Sequence, residues 1–120
     1  MKRSILLAAA VIPAWLGLCT ASFGMDRQEG LALAQKSGCL ACHSIDKKIV
    51  GPPWMMVSKH YKGDAGARER LIKKVHTGGK GNWVDVTGGV TMPPYSPRVS
   101  DADIERLVDF VLSLADQPGS

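Results

Sequence analysis

The chain has 120 residues, with 15 Lys and Arg against 11 Asp and Glu, and three cysteines. That length suits one domain, and the modest positive charge lacks the dense basic face with interleaved aromatics that nucleic-acid binding needs. No Ser/His/Asp set, phosphate loop or carboxylate pair marks catalytic machinery, so the chain does not read as an enzyme.

The first stretch reads as a leader. Lys2 and Arg3 precede an uncharged run from Ser4 to Gly24, whose apolar centre is Ile5-Leu6-Leu7-Ala8-Ala9-Ala10-Val11-Ile12. Ala21 and Gly24 offer small residues for signal peptidase. We therefore expect residues 1–24 to be a Sec-type signal peptide cut between Ala21 and Gly24, leaving an exported, periplasmic domain over 25–120 with no stable membrane insertion. A retained anchor competes with this, because a run of ~20 residues can just span a bilayer; Pro13 and Gly17 interrupt it, and no basic cluster follows. A lipid anchor on Cys19 would put the bulky Leu18 where such processing prefers a small residue. Cleavage removes Cys19 and leaves Cys39 and Cys42. From Met25 onward the chain keeps all 11 acids and 13 of the 15 bases.

Helices joined by Gly/Pro-rich loops follow, with no convincing strand and no repeat, which points to an all-α fold. Asp26 and Glu29 form a capping-box start, and Leu31, Leu33 and Ala34 carry apolar content to Ser37-Gly38. Directly beyond lies Cys39-Leu40-Ala41-Cys42-His43. Two thiols at this spacing can each add to one haem vinyl group, and the adjacent histidine can supply a nitrogen to the iron. Zinc sites and thiol redox pairs share the CxxC spacing. The following His favours haem; structural zinc would need two more Cys or His ligands at matched spacing, and only His60 and His76 remain.

A short helix is expected over Pro53 to His60, with Pro suited to the first turn. Another is expected over Asp64 to Thr77, with Ala67, Leu71, Ile72 and Val75 on one side and Gly78-Gly79 ending it. The last helix is the clearest: Ser100 caps it with Asp103 three positions on, and Ile104, Leu107, Val108, Val111 and Leu112 form a stripe of period 3.6. Short helices and long loops make a modest core, so an apolar macrocycle would supply its centre.

The iron needs a sixth ligand or an open position. Candidates are Met55, Met56, Met92, His60 and His76. Met92 sits in Thr91-Met92-Pro93-Pro94, where two prolines restrict the backbone. Met55 and Met56 follow Trp54 on an apolar segment and read as core filler, while His60 and His76 flank lysine-rich stretches and read as surface residues. Lysines at Lys47-Lys48, Lys59, Lys62, Lys73-Lys74 and Lys80 are an ordinary solvated surface or a positive rim that steers acidic redox partners.

The chain from Met25 on resembles small bacterial class I cytochromes c of the cytochrome c-551/c-552 type. The landmarks are the first helix, Cys39-Leu40-Ala41-Cys42-His43, Lys48-Ile49-Val50-Gly51-Pro52, Trp83, Thr91-Met92-Pro93-Pro94 and the closing helix. The resemblance implies a class I cytochrome c fold around one covalently bound haem c, with Cys39 and Cys42 as thioethers and His43 and Met92 as axial iron ligands. It further implies that the Pro52 carbonyl accepts the His43 Nδ1 hydrogen, that the Trp83 indole donates to a haem propionate, and that Lys74 is a further candidate propionate partner. Two departures stand out. The run from Val84 to Thr91 is longer than in compact members, and Tyr95 stands where several relatives place an asparagine near the Met sulfur.

The implied function is electron carriage by a monomer, between partners such as a respiratory reductase, oxidase or dehydrogenase. Two alternatives remain: a small-gas binder or sensor with a labile Met92, and a dedicated electron-transfer subunit of one dehydrogenase or reductase.

Overall fold

Helix starts in this chain follow from short polar side chains that satisfy the first free N–H groups. The computed structural model describes residues 24–118 and positions 10, 12 and 17; the expected leader otherwise lies outside the described residues. Helix α1 (Arg27–Lys36) opens on Asp26, whose carboxylate accepts the Glu29 N–H at 2.8 Å while Glu29 accepts the Asp26 N–H at 3.3 Å. This is the expected capping box. A 3-10 turn over Cys39–Ala41 follows at once.

Helix α2 (Trp54–His60) begins after Pro53, which caps it from outside the first turn. Helix α3 spans Ala67–Thr77, three residues shorter than expected. Asp64 closes a turn instead, accepting the Gly66 N–H at 3.0 Å with one oxygen and pairing with Arg70 through the other. Its side chain competes with helical backbone bonds, as short carboxylates do. A single turn, α4 (Val84–Thr87), occupies the segment expected as loop. Helix α5 (Asp101–Ser113) starts on Ser100, whose Oγ accepts the Asp103 N–H at 3.2 Å, and a 3-10 turn over Leu114–Asp116 ends it. Among the described residues, the one β-type pairing is an isolated antiparallel bridge between Gly79 and Met92.

Helix α5 is the central element and packs against α1, α2 and α3. Ile104, Leu107, Val108 and Val111 are buried as the stripe requires, and Leu112 is half-buried. Phe110 lies outside that stripe yet is 1% exposed. It meets the Trp54 indole edge to face at 6.1 Å between centroids, which joins α2 to α5. Buried Ser58 ties the same pair: its Oγ donates to the Leu112 carbonyl at 2.8 Å and accepts the Ala115 N–H at 2.9 Å. Met55 is buried as expected, but Met56 is 43% exposed and is not core filler. Successive residues on a helix point about 100° apart, so the two methionines cannot both face the same core.

Candidate cofactor site

A cavity of about 340 Å³ opens between the motif turn, α2, α3, α5 and the segment around Met92. All seven residues singled out for the site reach its wall: Cys39, Cys42, His43, Pro52, Lys74, Trp83 and Met92.

One end of the cavity is built by the motif. The 3-10 turn closes with the Cys42 and His43 N–H groups on the Cys39 carbonyl, at 3.2 and 3.0 Å. It presents both free thiols and the imidazole to one space. The next loop wraps back, with the Val50 and Gly51 N–H groups on the Cys42 carbonyl and the Trp54 N–H on Ser44 O. That path brings Pro52 O within 3.0 Å of His43 Nδ1. A carbonyl only accepts, so Nδ1 carries the hydrogen and Nε2 keeps its lone pair for a metal. Burial lowers the His43 pKa, against an opposing effect of the Pro52 hydrogen bond, and so favours the neutral ring that metals bind. The indole of Trp54 stacks on the ring at 5.5 Å and 18°. Gly51 passes so close that a Cβ there would strike the imidazole.

The other end is built by the segment around Met92. Gly79 N–H donates to Met92 O at 2.9 Å and Met92 N–H donates to Gly79 O at 3.1 Å. Three residues on, Tyr95 N–H donates to Val75 O at 3.0 Å. The segment is thus laced to the C-terminal end of α3. Gly78 has φ +69° and lies against the Met92 carbonyl, where a Cβ would collide with backbone. Of the five candidate sixth ligands, Met92 reaches the cavity wall; Met55, Met56, His60 and His76 do not. The surface reading of the two histidines is correct for His60, which is exposed. His76 is half-buried and lies 3.5 Å from Asp101.

Between the two ends the wall is apolar, with Val57, Leu71, Val75, Leu107, Val108 and Val111, and one side carries cations and an indole. Lys74 Nζ donates to Gly78 O at 3.4 Å. Trp83 is held by ring contacts to His60 at 5.1 Å and Tyr61 at 6.5 Å. Arg70 pairs with Asp64 and lies 5.9 Å from the Tyr61 ring centre. Sequence reasoning missed Tyr61, Arg70 and Tyr95 as wall residues. Tyr61 follows Val57 by four positions, and that helical spacing was the available signal for it. Together the wall suits a large, flat, apolar group with an anionic edge, a coordinated metal and two covalent anchors.

Comparison with known proteins agrees with that chemistry. The family model described as Cytochrome c matches residues 28–115. The cytochrome c-551 of Allochromatium vinosum is 51% identical over 84 residues, covering 70% of this chain and 84% of that protein. The cytochrome c-552 of Nitrosomonas europaea is 36% identical over 104 residues, covering 84% of this chain and 96% of that one. The crystal structure of wild-type Nitrosomonas europaea cytochrome c552 superposes with a TM-score of 0.62 at 37% identity, covering 70% of this chain and 98% of that one. The class 1 cytochrome MtoD of Sideroxydans lithotrophicus gives 0.61 at 29% identity, covering 76% and 98%.

Proposed function

Since this chain belongs to the cytochrome c family and has its all-α fold, one covalently attached haem c and its role in electron transfer, we propose that it is a periplasmic carrier with His43 and Met92 as axial ligands, shuttling electrons between respiratory redox proteins. The observation that carries this reading is the placement of His43 and Met92 on the wall of one cavity, with His43 Nδ1 already committed to Pro52.

When bound, the haem supplies an iron that cycles between Fe(III) and Fe(II). The protein's residues do the rest. Cys39 and Cys42 would hold the group through two thioether bonds. His43 offers Nε2 with its ring fixed and made more basic by the Pro52 carbonyl. Met92 offers a soft thioether sulfur that favours the ferrous state. Trp83 and Lys74 supply an N–H donor and a cation for propionate oxygens. The apolar side chains of α3 and α5 keep water from the metal, so charge changes there with little solvent rearrangement. With His43 and Met92 both held to the iron, no position would be left for a substrate, and the protein would act as a carrier without enzymatic activity.

No helix among the described residues is long and apolar enough to cross a membrane. Export by the expected leader and action as a diffusing monomer complete the proposal. Its test is the visible spectrum of the exported, purified protein. Sharp low-spin reduced bands and a weak far-red sulfur-to-iron band in the oxidised state are expected; haem bands without the far-red feature overturn Met92 ligation.

A further inference from the structure

The arginines of this fold mostly have acidic partners at hand. Arg68 bonds Asp109 and Glu105, Arg70 pairs with Asp64, and Arg106 with Asp103. Arg27 and Arg98 make no ion pair among the described residues; Arg27 is half-buried with its Nη2 enclosed, whereas Arg98 is exposed.

It is also held in place. The Arg98 guanidinium carbon lies 4.7 Å from the centre of the Tyr95 ring. Tyr95 is 6% exposed, its N–H is bound to Val75 O, and its carbonyl accepts the Val99 N–H at 2.9 Å. Val99 is buried too, so the bend from Tyr95 to Val99 is fixed at both ends. The bend sets the guanidinium beside the motif turn: Arg98 Nη1 is 3.9 Å from the place a Gly38 side chain would start, one residue before Cys39. Tyr95 and Cys39 both line the cavity, so Arg98 stands on its outer side at the Cys39 corner. Gly38 beside it and Pro97 before it in the chain are exposed and uncharged.

A planar fork of donors, stacked on a buried ring and lacking a counter-charge, loses little freedom when it meets a carboxylate. Two of the lysines expected to form a positive rim are less suited: Lys62 is paired with Asp116, and Lys74 turns toward Gly78 O. We propose that Arg98 is the anchor for a carboxylate of an acidic redox partner, docked against the Cys39 corner of the cofactor site. The proposal rests on the carrier reading, since it names the partner of that same site. The partner's docking face would carry an Asp or Glu with both oxygens free, next to its own redox centre.

The test uses haem-loaded protein and an acidic plant-type [2Fe–2S] ferredoxin as probe. Binding of oxidised ferredoxin is followed by calorimetry at low ionic strength, and the one-electron transfer from reduced ferredoxin to ferric protein by stopped flow. Arg98→Gln should weaken binding and slow transfer about three- to tenfold, with the difference vanishing at high salt. Arg98→Lys should recover part of the loss, because charge returns without the fork. Lys59→Gln, removing one exposed charge elsewhere, should change either value less than twofold. Equal losses for Arg98→Gln and Lys59→Gln overturn the anchor, as does a wild-type protein that does not bind the probe at low salt. Midpoint potentials separate the two readings. A wild-type iron that cannot be reduced and reoxidised reversibly ends the carrier proposal, whatever the Arg98 variants do to binding.

Discussion

His43 Nδ1 and the Pro52 carbonyl oxygen lie 3.0 Å apart, across nine residues of loop. Because the acceptor is backbone, no side-chain substitution at 52 removes it directly. The loop's path does so instead, and Gly51 is the residue that permits that path. Gly51→Ala puts a methyl group into the imidazole. We expect a loss of about 1–3 kcal/mol in stability from the forced displacement, accompanied by a shifted haem spectrum. Denaturant unfolding and the visible bands check both. An unchanged spectrum with unchanged stability would show that the ring does not need that loop.

Met92→Ala should open the iron to carbon monoxide, whereas the wild-type ferrous protein should resist it. Met56→Ala, removing an exposed thioether away from the cavity, is the matched control and should behave as wild type. Carbon monoxide titration of the three reduced proteins decides. Equal binding by wild type and Met92→Ala sinks the closed-site assignment.

Ser58→Ala leaves the Leu112 carbonyl and the Ala115 N–H without their partner. Buried groups left unpaired cost about 1–3 kcal/mol, so the urea midpoint should fall while the haem spectrum stays that of the wild type. A variant as stable as wild type would mean water reaches this junction.

Cys39→Ala combined with Cys42→Ala should give a protein that does not hold its fold at 25 °C without haem. The side chains of α3 and α5 that line the cavity would face an empty space, and such cavities are costly in proportion to their volume. Differential scanning calorimetry tests this; a sharp cooperative transition in the apo-protein would refute it.

Acid should destabilise the fold through His43. Burial lowers its folded pKa below the ordinary 6.5. A depressed histidine contributes stability that is full above the unfolded value and is lost as pH falls toward the folded one. The proposed metal ligation at Nε2 would work in the same direction, because a proton there would compete with the iron. The melting temperature should therefore decline as pH drops from 7 to 5; a rise over that interval contradicts the assignment.

Much of the cavity wall was legible because several of its reactive side chains are close together in the chain. Cys39, Cys42 and His43 sit within one turn, and Met92 is marked by the prolines after it. Helix starts were legible where a cap is local, as at Asp26 and Ser100. Asp64 misled for the same reason, since a short carboxylate serves a turn as readily as a helix start. The α4 turn was hidden because Val84, Val86 and Thr87 are β-branched and weakly helical. Phe110 and Tyr61 were missed because their roles depend on partners far along the chain, Trp54 and Trp83 respectively. A period reading finds one face of a helix, and α5 is covered on more than one.

The two hydrogen bonds that join Gly79 to Met92 make the far side of the site answer to α3. Fraying at the end of that helix and movement of the Met92 segment become one event, not two. Amide exchange at Gly79 and Met92 should then proceed at a common rate. With Met92 as the proposed iron ligand, it should slow on reduction, since a thioether sulfur favours ferrous iron. The backbone pair would report the oxidation state of a metal that neither amide touches.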